Sequence, residues 1–204
     1  MSERTRRSAG SAVRLFVAAY PPEEACAHLV ATVDTLAVGR AAAAGVNARL
    51  ASRANWHVTL AFLGDVPDER AEDAGKALHA AAAAWRGGRP EQWLGGGGRF
   101  GRGRFTIMWV GLRGEVDALT RLGTAVRREL RRSRLPYDRK PLRPHLTLAR
   151  PGDRVDVADD LAALRRYEGP RWEVSELTLV RSHLGPHPTY DRLTTAALPP
   201  ATPD

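Results

Sequence analysis

The chain has 204 residues, long enough for one substantial core or two small lobes packed intimately together. Hydrophobic content of 43% and charged content of 26% are those of an ordinary globular protein, and the single cysteine, Cys26, excludes an internal disulfide. The net charge of +8 rests on arginine, since Lys76 and Lys140 are the only lysines; it suits a polyanionic partner, but arginine decorating solvated helix faces explains it equally well.

Residues 1–11 read as a basic, disordered arm, residues 12–198 as a single domain, and residues 199–204 as a tail. The apolar run after the basic arm is short, is broken at Pro21-Pro22, and meets no small-residue cleavage site, so it reads as a strand and not as a secretory signal. No stretch approaches the ~20 apolar residues of a membrane span, and the expected location is the cytoplasm.

A strand is expected at Val13–Ala19, then a helix opening near Pro21-Pro22-Glu23-Glu24 with Leu29, Val33 and Leu36 on one face. Cys26 falls in this helix as a small core filler. A second strand covers His57–Leu63, a helix opens at Asp65–Glu69 and carries Ala74, Leu78, Ala81 and Trp85, and a weaker strand follows near Gln92–Gly96. The order then returns. Arg104–Leu112 reads as a strand, and Glu115–Arg134 as a helix with Leu119, Leu122, Val126 and Leu130 as its buried stripe. His145–Ala149 reads as a strand, Asp156–Tyr167 as a helix, and Trp172–Ser182 and Tyr190–Ala197 as strands.

The tetrapeptide His-x-Thr-Leu occurs once in each half, at His57–Leu60 and at His145–Leu148. The interval from each His to the next acidic helix start, Asp68 or Asp156, is 11 residues in both halves. That match argues for a duplicated strand–helix–strand–helix–strand unit, whose pseudo-twofold packing brings equivalent strands face to face. Strand alternation then puts each His and its Thr on one side and Val58, Leu60, Leu146 and Leu148 in a core.

Two imidazoles and two hydroxyls around one cleft suit acid–base chemistry on a phosphodiester. In-line attack needs a base for the nucleophile, an acid for the leaving oxygen, and donors for the equatorial oxygens. Arg143 shares the parity of His145 and Thr147 and is the better placed of two flanking cations; Arg150 needs a bend at Pro151 to reach the cleft. Of the other histidines, His28 and His79 read as surface, while His183 and His187 lie in a loop that could border a site.

Two histidines could begin a zinc site, but neither motif holds a third ligand. Gly95–Gly98 lacks the Gly-Lys-Ser/Thr of a nucleotide P-loop. The stretch Arg99–Phe105 has the look of an RNA-binding Arg-Gly segment, with a turn as the simpler reading. The cluster Arg127, Arg128, Arg131, Arg132 and Arg134 reads as the solvated side of a helix, with an RNA-facing track as the alternative.

These residues resemble the RNA 2′,3′-cyclic phosphodiesterases, often labelled 2′-5′ RNA ligases, of the two-histidine phosphoesterase superfamily. The resemblance lies in Arg14–Ala18, Asn55–Gly64, Arg143–Arg150, Leu179–Ser182 and the Leu184-Gly185-Pro186 loop. It implies a bilobal α+β fold with two antiparallel sheets flanking a central cleft and helices outside. It also implies hydrolysis of terminal 2′,3′-cyclic phosphates to 2′-phosphomonoesters without ATP, metal or other cofactor, with 2′-5′ joining as the reverse reaction.

By position, His57 would give a proton to the departing 3′-oxygen, His145 would activate water, and Thr59 and Thr147 would hold the phosphate. Phe16 would stack on the terminal base. The expected partner is an RNA or oligonucleotide end, the expected state a monomer with no obligate protein partner. A non-catalytic module that binds RNA ends in the same basic cleft is the alternative.

Overall fold

The computed structural model describes residues 11–46, 48–152, 155–185 and 188–200. Most of the basic arm, the end of the tail, and His187 lie outside these residues. In chain order the elements are β1 (Ala12–Ala19), α1 (Glu23–Thr35), α2 (Ala37–Ala43), β2 (Arg49–Leu50), β3 (Val58–Pro67), α3 (Ala71–Ala84), β4 (Glu91–Phe100) and β5 (Ile107–Gly114). They continue with α4 (Val116–Arg132), β6 (His145–Arg150), α5 (Ala158–Arg166), β7 (Glu168–Glu173), β8 (Glu176–His183) and β9 (Thr189–Ala197).

Two antiparallel sheets result, in the orders β3-β1-β8-β9 and β2-β6-β5-β4-β7. Exchanging the sheets maps β3 on β6, β1 on β5, β8 on β4 and β9 on β7, with β2 as an extra edge. The duplicated unit is therefore a property of the fold. Each half also lends the other its parts: β4 follows the first motif but joins the second motif's sheet, and β8 crosses back. Helices do the same, because α4 leaves β5 to pack with α3 against the first sheet, while α1 leaves β1 to pack against β7.

Alternation along β1 shows how the layers form. Leu15 and Val17 enter the core beneath α3 and α4 with Leu78, Leu119, Leu122 and Leu130. Phe16 and Ala18 point to the opposite face, where they meet Val180, Phe62 and Tyr190. A second core under α1 and α5 gathers Leu29, Val33, Leu94, Met108, Leu146, Leu148 and Leu164. Cys26 of α1 is buried within it. Each such leucine contributes roughly 1.5–3 kcal/mol by leaving water.

The first expected helix breaks at Leu36, whose backbone is extended, and α2 restarts at once. Asp160, only 3% exposed, makes this possible, since its carboxylate accepts the Ala37 and Val38 N–H groups at 2.7 and 2.9 Å. That cap comes from 122 residues or more away, which no local pattern encodes.

The single strand expected at Trp172–Ser182 is two strands in different sheets, with Val174 and Ser175 tied at the crossing to Pro90 and Leu198. The strand expected at Gln92–Gly96 runs on to Phe100, and Gly103–Phe105 forms a 3-10 turn before β5. The glycines serve close packing here. A Cβ on Gly98 would lie 2.4 Å from the Trp109 ring.

Candidate active site

Strict alternation fails in both motifs, at the same residue. Along β3, Thr59 pairs with Ala18 and Ala61 with Val17, so Leu60 is an extra residue with no partner of its own. Along β6, Thr147 pairs with Trp109 and Ala149 with Met108, leaving Leu148 extra. The fourth residue of His-x-Thr-Leu is thus a β-bulge in each half, buried at 0% and 1% exposure. A bulge bends its strand, re-aims the side chains before it, and reverses the facing of those after it.

The bulge corrects one sequence expectation. Past Leu148, Ala149 turns into the core and Arg150 turns into the cleft, so Arg150 and not Arg143 lines the cavity. Arg143 is exposed, and its contribution is a backbone carbonyl.

That carbonyl matters. His145 Nδ1 lies 2.6 Å from the Arg143 oxygen, and His57 Nδ1 lies 2.6 Å from the Asn55 oxygen. A carbonyl can only accept, so each neutral ring carries its proton on Nδ1 and leaves Nε2 bare. The 3-10 turn Arg53–Asn55 that offers the first carbonyl is pinned by an Asn55 Nδ2–H donated to the Pro188 oxygen at 2.9 Å.

One cavity of about 810 Å³ is lined by His57, Thr59, His145 and Thr147 together. Its wall adds Arg49 and Leu50 from β2, Arg150 from β6, and Leu184 and Tyr190 from around the β8–β9 loop. Among the described residues the lining carries two guanidiniums and no carboxylate. Such a volume suits a nucleotide-sized anion.

The two imidazoles have different surroundings. Phe16 stacks on His57 with ring centres 4.7 Å apart, and Tyr190 meets both rings edge-on. Burial pushes the His57 imidazole below its usual 6.5; the Asn55 carbonyl opposes this and the His145 charge adds to it. His145 instead has Phe100 edge-on at 5.0 Å and Trp109 at 6.2 Å.

Phe16 corrects a second expectation. At 4% exposure and with His57 against its face, it is spent on positioning that ring and is not open to a base.

Tyr190 and Arg49 are lining residues that sequence reasoning missed. Tyr190 stands at a strand start like many tyrosines, and Arg49 belongs to a two-residue strand without periodicity. His183, by contrast, is exposed and bonded to Asp191 at 2.6 Å, while His28 and His79 bond Tyr167 and Thr194.

The model of the 2′-5′ RNA ligase superfamily matches residues 16–186, from β1 to the loop after β8. The chain belongs to that superfamily. Proteins named RNA 2′,3′-cyclic phosphodiesterase, from Geobacillus stearothermophilus and Aeropyrum pernix, are 33% and 34% identical to it over 148 and 107 residues. Those matches cover 71% and 52% of this chain, but 45% and 58% of the relatives, so the chain spans about half the length of the curated relatives it matches. E. coli LigT, solved in complex with NADP+, has the same fold. It is 26% identical with a TM-score of 0.68, over 92% of this chain and 99% of LigT. No helix among the described residues is long and apolar enough to cross a membrane.

Proposed function

We propose that this protein hydrolyses the 2′,3′-cyclic phosphate at the end of an RNA or oligonucleotide to a 2′-phosphomonoester, using His57 and His145 as acid and base. One observation carries the reading. Two imidazoles, each with Nδ1 committed to a backbone carbonyl, share one cavity with a threonine beside each and, among the described residues, no carboxylate in its lining. The names of the Geobacillus and Aeropyrum relatives support the substrate class.

In the proposed reaction Thr59, Thr147 and Arg150 hold the equatorial oxygens of the cyclic phosphate. His145 Nε2 takes a proton from water as its oxygen bonds to phosphorus, and His57 Nε2 gives a proton to the 3′-oxygen as the P–O3′ bond breaks. Burial disfavours a charged His57 in the empty cleft, but a phosphate anion seated between the rings supplies the opposite charge that favours its imidazolium. With a 5′-hydroxyl in place of water, the same groups would join two ends: the 5′-oxygen bonds to phosphorus as it loses its proton to His145, and the P–O3′ bond breaks as His57 protonates the 3′-oxygen, leaving a 2′-5′ linkage.

The decisive experiment incubates the protein with RNA ending in a 2′,3′-cyclic phosphate and resolves 2′- from 3′-monoester. A 2′-phosphate is expected. A 3′-phosphate would reverse the orientation, and retention of the cyclic end would favour a module that only binds RNA ends.

A further inference from the structure

The β4–β5 hairpin tip is strongly basic and carries an exposed aromatic ring, yet neither feature serves the fold. Phe105 is 68% exposed and is the only exposed phenylalanine or tryptophan among the described residues. The Arg104 guanidinium sits 4.8 Å over its ring. Arg99 and Arg102 complete three exposed cations within six residues, and the sequence holds no carboxylate between Glu91 and Glu115.

Among the described residues none of the three forms an ion pair. Three arginines of α4 differ: Arg128 and Arg132 pair with the buried Glu129, and Arg127 donates to the Lys140 carbonyl.

The tip is held in place. Gly101 has φ +71°, and a Cβ there would lie 2.4 Å from the Phe105 oxygen, so only glycine closes this turn. Phe105 and Thr106 N–H groups donate to the Arg102 and Gly103 oxygens, and Thr106 is buried.

A path joins the tip to the cleft. Across the second sheet Thr147 lies opposite Trp109, and Trp109 opposite Gly98, so these positions share the cleft face with Phe100, two residues beyond Gly98. Phe100 stacks on Trp109 at 5.3 Å and touches His145, and the turn of the hairpin begins directly after it.

We propose that the hairpin tip, Arg99–Phe105, docks the single-stranded RNA that runs upstream of the terminal cyclic phosphate. A base stacks on Phe105 and neighbouring phosphates meet Arg102 and Arg104, a sequence-tolerant mode. This rests on the reading that the cleft takes an RNA end, and it makes the preferred substrate an oligonucleotide and not a cyclic mononucleotide.

The test compares Phe105→Ala and Arg102→Gln/Arg104→Gln with the unaltered chain in two measurements. The first is turnover of a 2′,3′-cyclic mononucleotide and of a ten-nucleotide RNA with a 2′,3′-cyclic end. The second is fluorescence-anisotropy binding of the same RNA ending in a 3′-hydroxyl, which needs no catalysis.

For Phe105→Ala, KM for the RNA and Kd for its unreactive form should each rise about tenfold, while mononucleotide turnover stays unchanged. The double arginine variant should also lower the salt slope of RNA binding by about 0.7 for each phosphate it no longer neutralises. Unaltered RNA binding in both variants overturns the docking site, as does an equal loss on both substrates. Loss of binding to anionic vesicles with RNA binding intact also overturns it, in favour of a membrane surface. If the unaltered chain turns over neither substrate, the proposed reaction fails, and the anisotropy comparison alone decides the docking site.

Discussion

The two motif strands share a backbone device and differ in nearly everything around it. Each places its histidine two residues beyond the carbonyl that holds Nδ1, and each puts a leucine bulge after its threonine. Beyond the bulge the strands diverge. The first turns Phe62 toward Phe16 and Tyr190, while the equivalent turn of the second gives Arg150 to the cavity. Burial among Phe16 and Tyr190 therefore resists the charging of His57, whereas His145 shares its own strand with Arg150, a permanent cation in the cavity wall. Duplication supplied a symmetric frame, and divergence of the lining gave its two ends different surroundings.

The comparison can be broken most sharply at the histidines themselves. His57→Ala and His145→Ala should each lower kcat on a cyclic-phosphate RNA by ~10²–10⁴-fold with RNA affinity nearly unchanged. Full activity in both variants would end the acid–base reading.

A substrate with sulfur in place of the 3′-oxygen separates the two roles, because a thiolate leaves without a proton donor. His57→Ala should regain at least ~10-fold of its deficit on that substrate and His145→Ala should not. The opposite pattern would exchange the roles, placing the acid at the more open ring.

A smaller effect is expected two residues past the bulges. Arg150→Met removes a charge-assisted phosphate contact and should raise KM about tenfold with little change in kcat. Phe62→Leu at the equivalent position should leave both constants within about twofold, and a matching rise in KM there would deny the asymmetry.

The mildest consequence is in stability. Because folded His57 titrates below 6.5, the unfolded chain binds more protons over the interval between the two values. Stability should therefore fall as pH drops from about 6.5 through the folded value, and His57→Asn should flatten that part of a urea-midpoint profile. An unchanged slope would show that burial does not govern this ring.

Periodicity located the main helices and strands because each buries one face. The paired motifs and their equal spacing showed the duplication. Where the reading failed, the cause lay outside the local sequence. Leu36 ends a helix because Asp160 caps the next one, and Val174–Ser175 interrupts an apolar run because its two parts belong to different sheets.

The sequence by itself determined which chemical groups come in pairs, since a repeated His-x-Thr-Leu is visible without coordinates. Only the tertiary structure decided where those groups point and what they meet. A bulge exists as a mismatch between two paired strands, and it sends Arg150 inward and leaves Arg143 outside. Burial is a property of neighbours brought in from elsewhere in the chain, so Phe16 became the backing of His57 and not a surface for a base.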